Sequence, residues 1–346
     1  MTSRTAARVD LLKFQTSPFF TQWNIKFHAK TLQYYVQDDI AIGDAKISLG
    51  WKGFKVDNRA APVISGGRTA SDLSVEDWFQ PHVGRNYDFG GGLEAFAGFT
   101  SVTRAFGSST TSGPFSSTQT GFNAIQPLLK PESSDTYEAG IRYGGGFHLV
   151  LAACHVDFRN RLLTIPTSVG IVCAAIALQN VGSVRAQGLE ATAEYKTGPW
   201  TLFGSYSYND NTYRNKVVLT ASGTTTIIRT AGKTVVDSPE HLAHLELAHD
   251  DDTRFLRVST NYMSRRYFTY ANDKSVDGRA VVDLAMGYRF DLGMRKPLEV
   301  QFNVTNLFDL NYVSTIGSSG FGNSGDNQTL LAGAPRQLFV SAGMGL

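Results

Sequence analysis

No run of apolar residues in this 346-residue chain approaches the roughly 18 needed for a membrane-spanning helix. The longest candidates, 147–154 and 171–178, fall far short. Cysteine is also scarce: Cys154 and Cys173 are the only two, which excludes a disulfide framework and fits no metal-ligand spacing. Cys154 falls in a predicted strand and Cys173 in the loop region after it. Charge is low, 18% of residues with a formal net of +2, and lysine and arginine are dispersed, so nothing points to nucleic acid. The first residues, MTSRTAARVDLLKF, have too short an apolar core and no small-residue cleavage site for a secretory signal. HExxH, GxSxG and phosphate-loop patterns are absent, so no enzyme activity, cofactor or resident metal is expected.

What is present is alternation. Aromatics make up 12% of the chain, glycines number 34, and mean hydropathy is −0.16. Residues 338–346 place Leu338, Val340, Ala342, Met344 and Leu346 on one face of a strand that runs to the last residue. In 279–290, Ala280, Val282, Leu284, Met286, Tyr288 and Phe290 oppose Asp283, Gly287 and Arg289. In 32–42, Leu32, Tyr34, Val36, Ile40 and Ile42 oppose Gln33, Tyr35, Gln37 and Asp39. Similar patterns in 137–143, 255–262 and 298–305 make these amphipathic strands.

The pattern predicts thirteen strands: 29–42, 45–58, 77–88, 93–104, 134–144, 147–160, 175–196, 199–213, 239–249, 254–264, 278–291, 296–308 and 336–346. Short turns fall at 43–44, 89–92, 145–146, 197–198, 250–253 and 292–295. Long polar loops fall at 59–76, 105–133, 161–174, 214–238, 265–277 and 309–335. Short turns on one side and long loops on the other is the layout of an outer-membrane barrel, with the turns in the periplasm. A soluble β-sandwich also alternates, but several of these segments exceed ten residues, whereas soluble strands usually run about 5–6. Aromatics gather toward strand ends (Tyr206, Tyr208, Tyr262, Tyr267, Tyr288, Phe290), as at membrane interfaces.

Five segments carry a family resemblance. LKPESSDTYEAGIRY (129–143), LQNVGSVRAQGLEATAEYK (178–196), FNVTNLFDLNYVSTIG (302–317), GAPRQLFVSAGMGL (333–346) and YYVQDDIAIGDAKISLGWKGF (34–54) resemble, in order, parts of the C-terminal half of TonB-dependent outer-membrane receptors. Pro131 suits the start of a strand, Gly188 a close backbone approach, and Asn306 and Asp309 the point where a ladder gives way to a loop. The resemblance implies an all-β, antiparallel transmembrane barrel supplying about thirteen strands of a presumed twenty-two, without the family's plug domain. Residues 1–28 are then an extracellular-loop-like segment and 29–346 the C-terminal part of the barrel. Leu346 departs from the terminal aromatic usual in the family.

The implied function is outer-membrane import of a ferric siderophore or similar scarce solute, by a portion expected to be incomplete and unable to transport alone. The alternative is a plug-less passive pore or adhesin-like barrel. Implied partners are outer-membrane lipid, the barrel-assembly machinery, the solute, and the TonB system only through a plug. Candidate ligand contacts on the loops are Arg265, Arg266, Tyr267, Phe268 and Tyr270, with Tyr213 and Arg214. No metal site is expected from His241, His244 and His249, because His244 faces away from the other two. Asp250, Asp251 and Asp252 fill a short turn and are expected to be solvated.

Overall fold

The computed structural model describes residues 24–65, 69–106, 115, 118–166, 176–180, 182–221, 224–293, 296–317 and 329–344. In chain order its strands are β1 (Asn24–Ile42), β2 (Ala45–Ile64), β3 (Ser71–Asp88), β4 (Leu93–Arg104), β5 (Glu132–Gly144), β6 (His148–Arg159), β7 (Leu162–Pro166), β8 (Ile176–Asn180), β9 (Val184–Thr197), β10 (Trp200–Tyr213), β11 (Val217–Ala221), β12 (Thr224–Ile228), β13 (His241–Asp250), β14 (Arg254–Met263), β15 (Arg266–Tyr267), β16 (Ser275–Val276), β17 (Arg279–Phe290), β18 (Leu298–Thr305), β19 (Val313–Ile316), β20 (Leu330–Ala332) and β21 (Gln337–Met344). Thirteen of them form one antiparallel sheet in the order β1-β2-β3-β4-β5-β6-β9-β10-β13-β14-β17-β18-β21. The other eight pair as four small ladders in the long connections: β7–β8, β11–β12, β15–β16 and β19–β20. A helix, α1 (Gln119–Ile125), lies in the β4–β5 connection, with Thr118 Oγ1 accepting from Gly121 N at its start.

All thirteen expected strands are present, with three differences. The segment 175–196 is not one strand. It breaks at Gly182, whose φ of 89° turns the chain from the loop ladder into β9. The expected loop 59–76 is mostly sheet, since β2 continues to Ile64 and β3 begins at Ser71. Residues 24–28 belong to β1 rather than to a loop-like segment; residues 1–23, Cys173, Gly345 and Leu346 lie outside the described residues.

The six short connections fall between β1–β2, β3–β4, β5–β6, β9–β10, β13–β14 and β17–β18, all at one end of the sheet. Gly90, Gly91 and Gly92 all take positive φ. A Cβ on Gly92 would stand 2.6 Å from Gly144 O, so this turn lies against the end of β5. Asp250, Asp251 and Asp252 are exposed at the turn 251–253, as expected, and Asp250 in addition accepts from both Arg289 terminal nitrogens, at 2.6 and 2.9 Å. Asp251 caps the turn through Arg254 N and Thr253 N, and these donors hold its carboxyl below the usual range.

The register assigns every strand's side chains to one of two faces. Ile42 pairs with Ala45, then Tyr87, Ala95, Ile141, Leu151, Ala191, Tyr206, Ala243, Tyr262 and Ala280 across eleven strands. The face holding this row is apolar, and Leu338, Val340, Ala342 and Met344 continue it on β21. All but Ala342 are among its exposed large side chains. The opposite face carries the ion pairs Lys46–Asp39, Arg142–Glu94, Arg257–Glu246 and Arg289–Glu299. This is the apolar-out, polar-in pattern of a barrel wall in an outer membrane. No described helix is long and apolar enough to cross a membrane. Strands β1, β2 and β3, of 19, 20 and 18 residues, exceed the roughly 10 needed to cross, so their upper ends project beyond it.

Candidate functional site

The described parts of the long connections form caps that bury aromatic residues of their own. One cluster joins Val184, Tyr213, Val217, Ile228, Val235, Val236 and Tyr270, and so packs the β10–β13 connection against the β14–β17 connection. Asn272 ties the same two connections: its Oδ1 accepts from Thr234 N at 2.7 Å and its Nδ2 donates to Thr234 O at 3.0 Å. A second cluster, Phe268, Val276 and Ile316 with Val313, brings in the β18–β21 connection. A third, on the polar-face side of β1–β3, stacks Phe115 on Phe122 and packs them on Phe54, Leu73 and Val75.

These caps decide where the expected ligand contacts stand. Tyr213 and Tyr270 are 1% exposed and meet edge to face, with ring centroids 6.1 Å apart. Burial raises the Tyr270 hydroxyl well above the usual tyrosine range. Phe268 is buried, and Arg266 is 6% exposed, donating to Asp237 Oδ1 at 2.7 Å and to Val313 O at 3.0 Å. Arg265, Arg214 and part of Tyr267 reach the surface, with Arg265 lying 5.4 Å from the Tyr267 ring centre. Arg265 and Tyr267 line a cavity of about 520 Å³ together with Asp210, Asn211, Glu240 and Asp277. Arg214 is not in that cavity.

A larger site, about 630 Å³, lies on the polar face below the caps. It is lined by Ser205 and Ser207 of β10, His244 of β13, Asn261 of β14, Arg279 and Asp283 of β17, and Tyr312 of the β18–β21 connection. Each strand side chain is placed by period two: all six sit on the face opposite the apolar row. His244 Nδ1 is 2.9 Å from Asn261 Oδ1, and the Arg279 guanidinium lies 4.4 Å from the Tyr312 ring centre. Asn306 lines it at the loop edge. With φ 51° and 3% exposure, it accepts from Leu310 N and donates to Leu310 O and Ala334 O, while its own N–H donates to Asp283 Oδ1. The site offers a cation, a carboxylate, hydroxyls and an imidazole around an open space, which suits a polar solute carrying several oxygen donors.

The three histidines of β13 are held separately. His241 lies 2.8 Å from Tyr206 Oη, and His249 meets Trp200 edge to face at 4.6 Å. His244 is on the other face. Sequence reasoning singled out the loop aromatics and missed Arg279, Asp283 and Asn261. Their common signal was in plain sight: polar residues on the non-lipid face of two neighbouring strands, β14 and β17, near their loop ends.

The chain matches the family described as TonB dependent receptor-like, beta-barrel, over residues 5–307. It is 27% identical over 286 residues to the ferric-pyoverdine M114 receptor PbuA of Pseudomonas sp. (strain M114), an alignment covering 78% of this chain and 31% of that protein. The siderophore receptor PiuA from Acinetobacter baumannii is similar in structure, with a TM-score of 0.70, 16% identity, and coverage of 92% of this chain and 43% of that one. The pyoverdine outer membrane receptor FpvA from Pseudomonas aeruginosa PAO1, solved with pyoverdine, gives a TM-score of 0.62, 20% identity, and coverage of 92% and 42%. The chain thus spans about a third of the length of the sequence relative and less than half of each solved structure.

Proposed function

Because this chain belongs to the TonB-dependent receptor β-barrel family, a family of receptors and transporters of the bacterial outer membrane, we propose that it forms the wall and upper ligand site of a ferric-siderophore receptor. The observation carrying this reading is the polar site of Ser205, Ser207, His244, Asn261, Arg279 and Asp283, on the non-lipid face and roofed by Tyr312. A ferric chelate presents carboxylate, hydroxamate or catecholate oxygens and is often anionic. Arg279 supplies charge, and the hydroxyl and amide groups supply directional hydrogen bonds. The exposed Arg265 and Arg214 and the half-buried Tyr267 lie farther out and serve as first contacts for the approaching solute. The buried Arg266, Phe268, Tyr270 and Tyr213 contribute by holding the caps in shape. Outer-membrane lipid covers the apolar face, and the barrel-assembly machinery engages the end strand β21 during insertion. Energy input follows the family's TonB dependence.

The test is binding by the purified protein in detergent, read as quenching of its tryptophan fluorescence by ferric pyoverdine, with ferric citrate and a ferric catecholate for comparison. Arg279→Ala and Asn261→Ala are each expected to weaken binding about tenfold, the loss of one charge-assisted or well-placed hydrogen bond. Arg257→Ala, on the same face but nearer the turns, should leave it unchanged. Equal affinity for all three chelates in wild type and in both site variants would reject the assignment.

A further inference from the structure

The register shows an anomaly on the apolar face. Between its lower aromatics (Tyr87, Tyr143, Tyr195) and its upper ones (Tyr34, Trp51, Tyr137), the described strands carry two charged side chains, Asp38 and Arg85. Asp38 shares the face of Val36 and Ile40 on β1; its row runs through Leu49 to Val83. Arg85 pairs with Ile47, whose partner is Ile40, and stands between Val83 and Tyr87 on β3. Both are exposed. Neither has a hydrogen-bond or ion-pair partner among the described residues. In hydrocarbon each is costly unless paired, and such residues mark sites of interaction.

Their signs are opposite, and their heights agree. The pairing row from Ile42, beside a turn, to Ala280 climbs the apolar band in ten strand steps. For a band about 25 Å tall that is roughly 2.5 Å per strand, so two strands raise Arg85 by about 5 Å relative to Asp38. Arg85 sits two residues nearer the turns, which at a tilt of about 40° lowers it by roughly the same 5 Å. The two charges therefore lie side by side at one depth, roughly 12 Å apart along the sheet. The side chains of Ile47 and Leu49 occupy the face between them.

We propose that the outward face of β1–β3 is a two-fold contact between two copies of this chain in the membrane, in which Asp38 of each copy pairs with Arg85 of the other. Two copies inserted in the same sense are related by an axis along the membrane normal, which preserves height. An acid and a base at equal height on one face are then self-complementary. Both charges are satisfied at once, and the exposed Trp51 and Phe79, whose ring centres lie 6.2 Å apart, add apolar contact beside them. Lipid would leave both charges unpaired.

The experiment is single-molecule photobleaching of the labelled full chain in lipid nanodiscs and in outer-membrane vesicles, with heat-modifiable gel migration confirming the fold. Wild type should be dimeric. Asp38→Arg and Arg85→Asp should each lower the dimer fraction at least tenfold, and the double reversal should restore it to within threefold. If the reversals do not fold, Asp38→Asn and Arg85→Gln serve in the same scheme. Independently, Leu49→Cys in a Cys154→Ser, Cys173→Ser background should form an intermolecular disulfide under mild oxidation, whereas Val258→Cys on the far side should not. A monomeric wild type overturns the proposal. So does a double reversal that restores stability without restoring the dimer, since that outcome places the pair within one copy.

Discussion

Arg266 and Asp237 join two loop connections through an ion pair of 2.7 Å, and the arginine's other terminal nitrogen reaches Val313 O on a third. The arginine side chain is 7% exposed and the aspartate 36%. The pair is therefore only partly screened by water, and the arginine cannot leave without stranding Val313 O. Arg266→Ala is expected to lower the stability of the β15–β16 ladder and its neighbours by about 2 kcal/mol, the range for hydrogen bonds to a charged group. Hydrogen exchange should quicken in 234–238, 266–276 and 313–316 together, while the strands of the sheet keep their protection. Arg266→Lys should recover part of the loss, since a single ammonium cannot serve both acceptors in the guanidinium's fork geometry.

Asn306 ends β18 in the left-handed region and satisfies four backbone or carboxylate partners. Asn306→Gly keeps the conformation but leaves Leu310 and Ala334 groups unpaired. Asn306→Ala adds strain to that loss. Denaturant unfolding should show a loss of about 2 kcal/mol for glycine and more for alanine.

Gly140 lies where a Cβ would stand 2.3 Å from Leu151 O and 2.6 Å from the Phe96 ring. The obstruction is backbone of the paired strand, so it cannot rotate away. Gly140→Ala should cost more than about 2 kcal/mol by overpacking. Gly343→Ala, which meets nothing within 4 Å, should be neutral.

Tyr270 gives a pH dependence with a definite sign. Burial raises its folded pKa above the unfolded value of about 10. The neutral hydroxyl therefore contributes stability that is complete below pH 10 and is lost as pH rises above it. Thermal melts from pH 8 to 11 should show wild type losing cap stability at the alkaline end. Tyr270→Phe, which cannot ionise, should lose less over the same interval.

Much of the fold was legible because a barrel wall writes its two environments into alternate residues. Val282, Leu284 and Met286 against Asp283 and Arg289 fix both the strand and its orientation, and Gly90–Gly92 fix a turn. The caps were less legible. Arg266, Phe268 and Tyr270 read as ligand contacts because an aromatic and basic loop looks the same whether it faces a solute or its own core. Only the packing of three separate connections puts them inside. Arg279, Asp283 and Asn261 were each visible as polar strand residues. Their convergence with Tyr312 depended on register between strands, which one strand's pattern does not carry.

The face assignment supports both the polar site and the contact between copies, and cysteine scanning of β17 in outer-membrane vesicles tests it most directly. Single cysteines at residues 280 to 288, in a cysteine-free background, are exposed to a charged thiol reagent and separately to a lipid-borne quencher. The register predicts strict alternation: Val282, Leu284 and Met286 reached from lipid and not by the charged reagent, Val281, Asp283 and Ala285 the reverse. Equal access on both sets of positions, or alternation of the opposite phase, would contradict it.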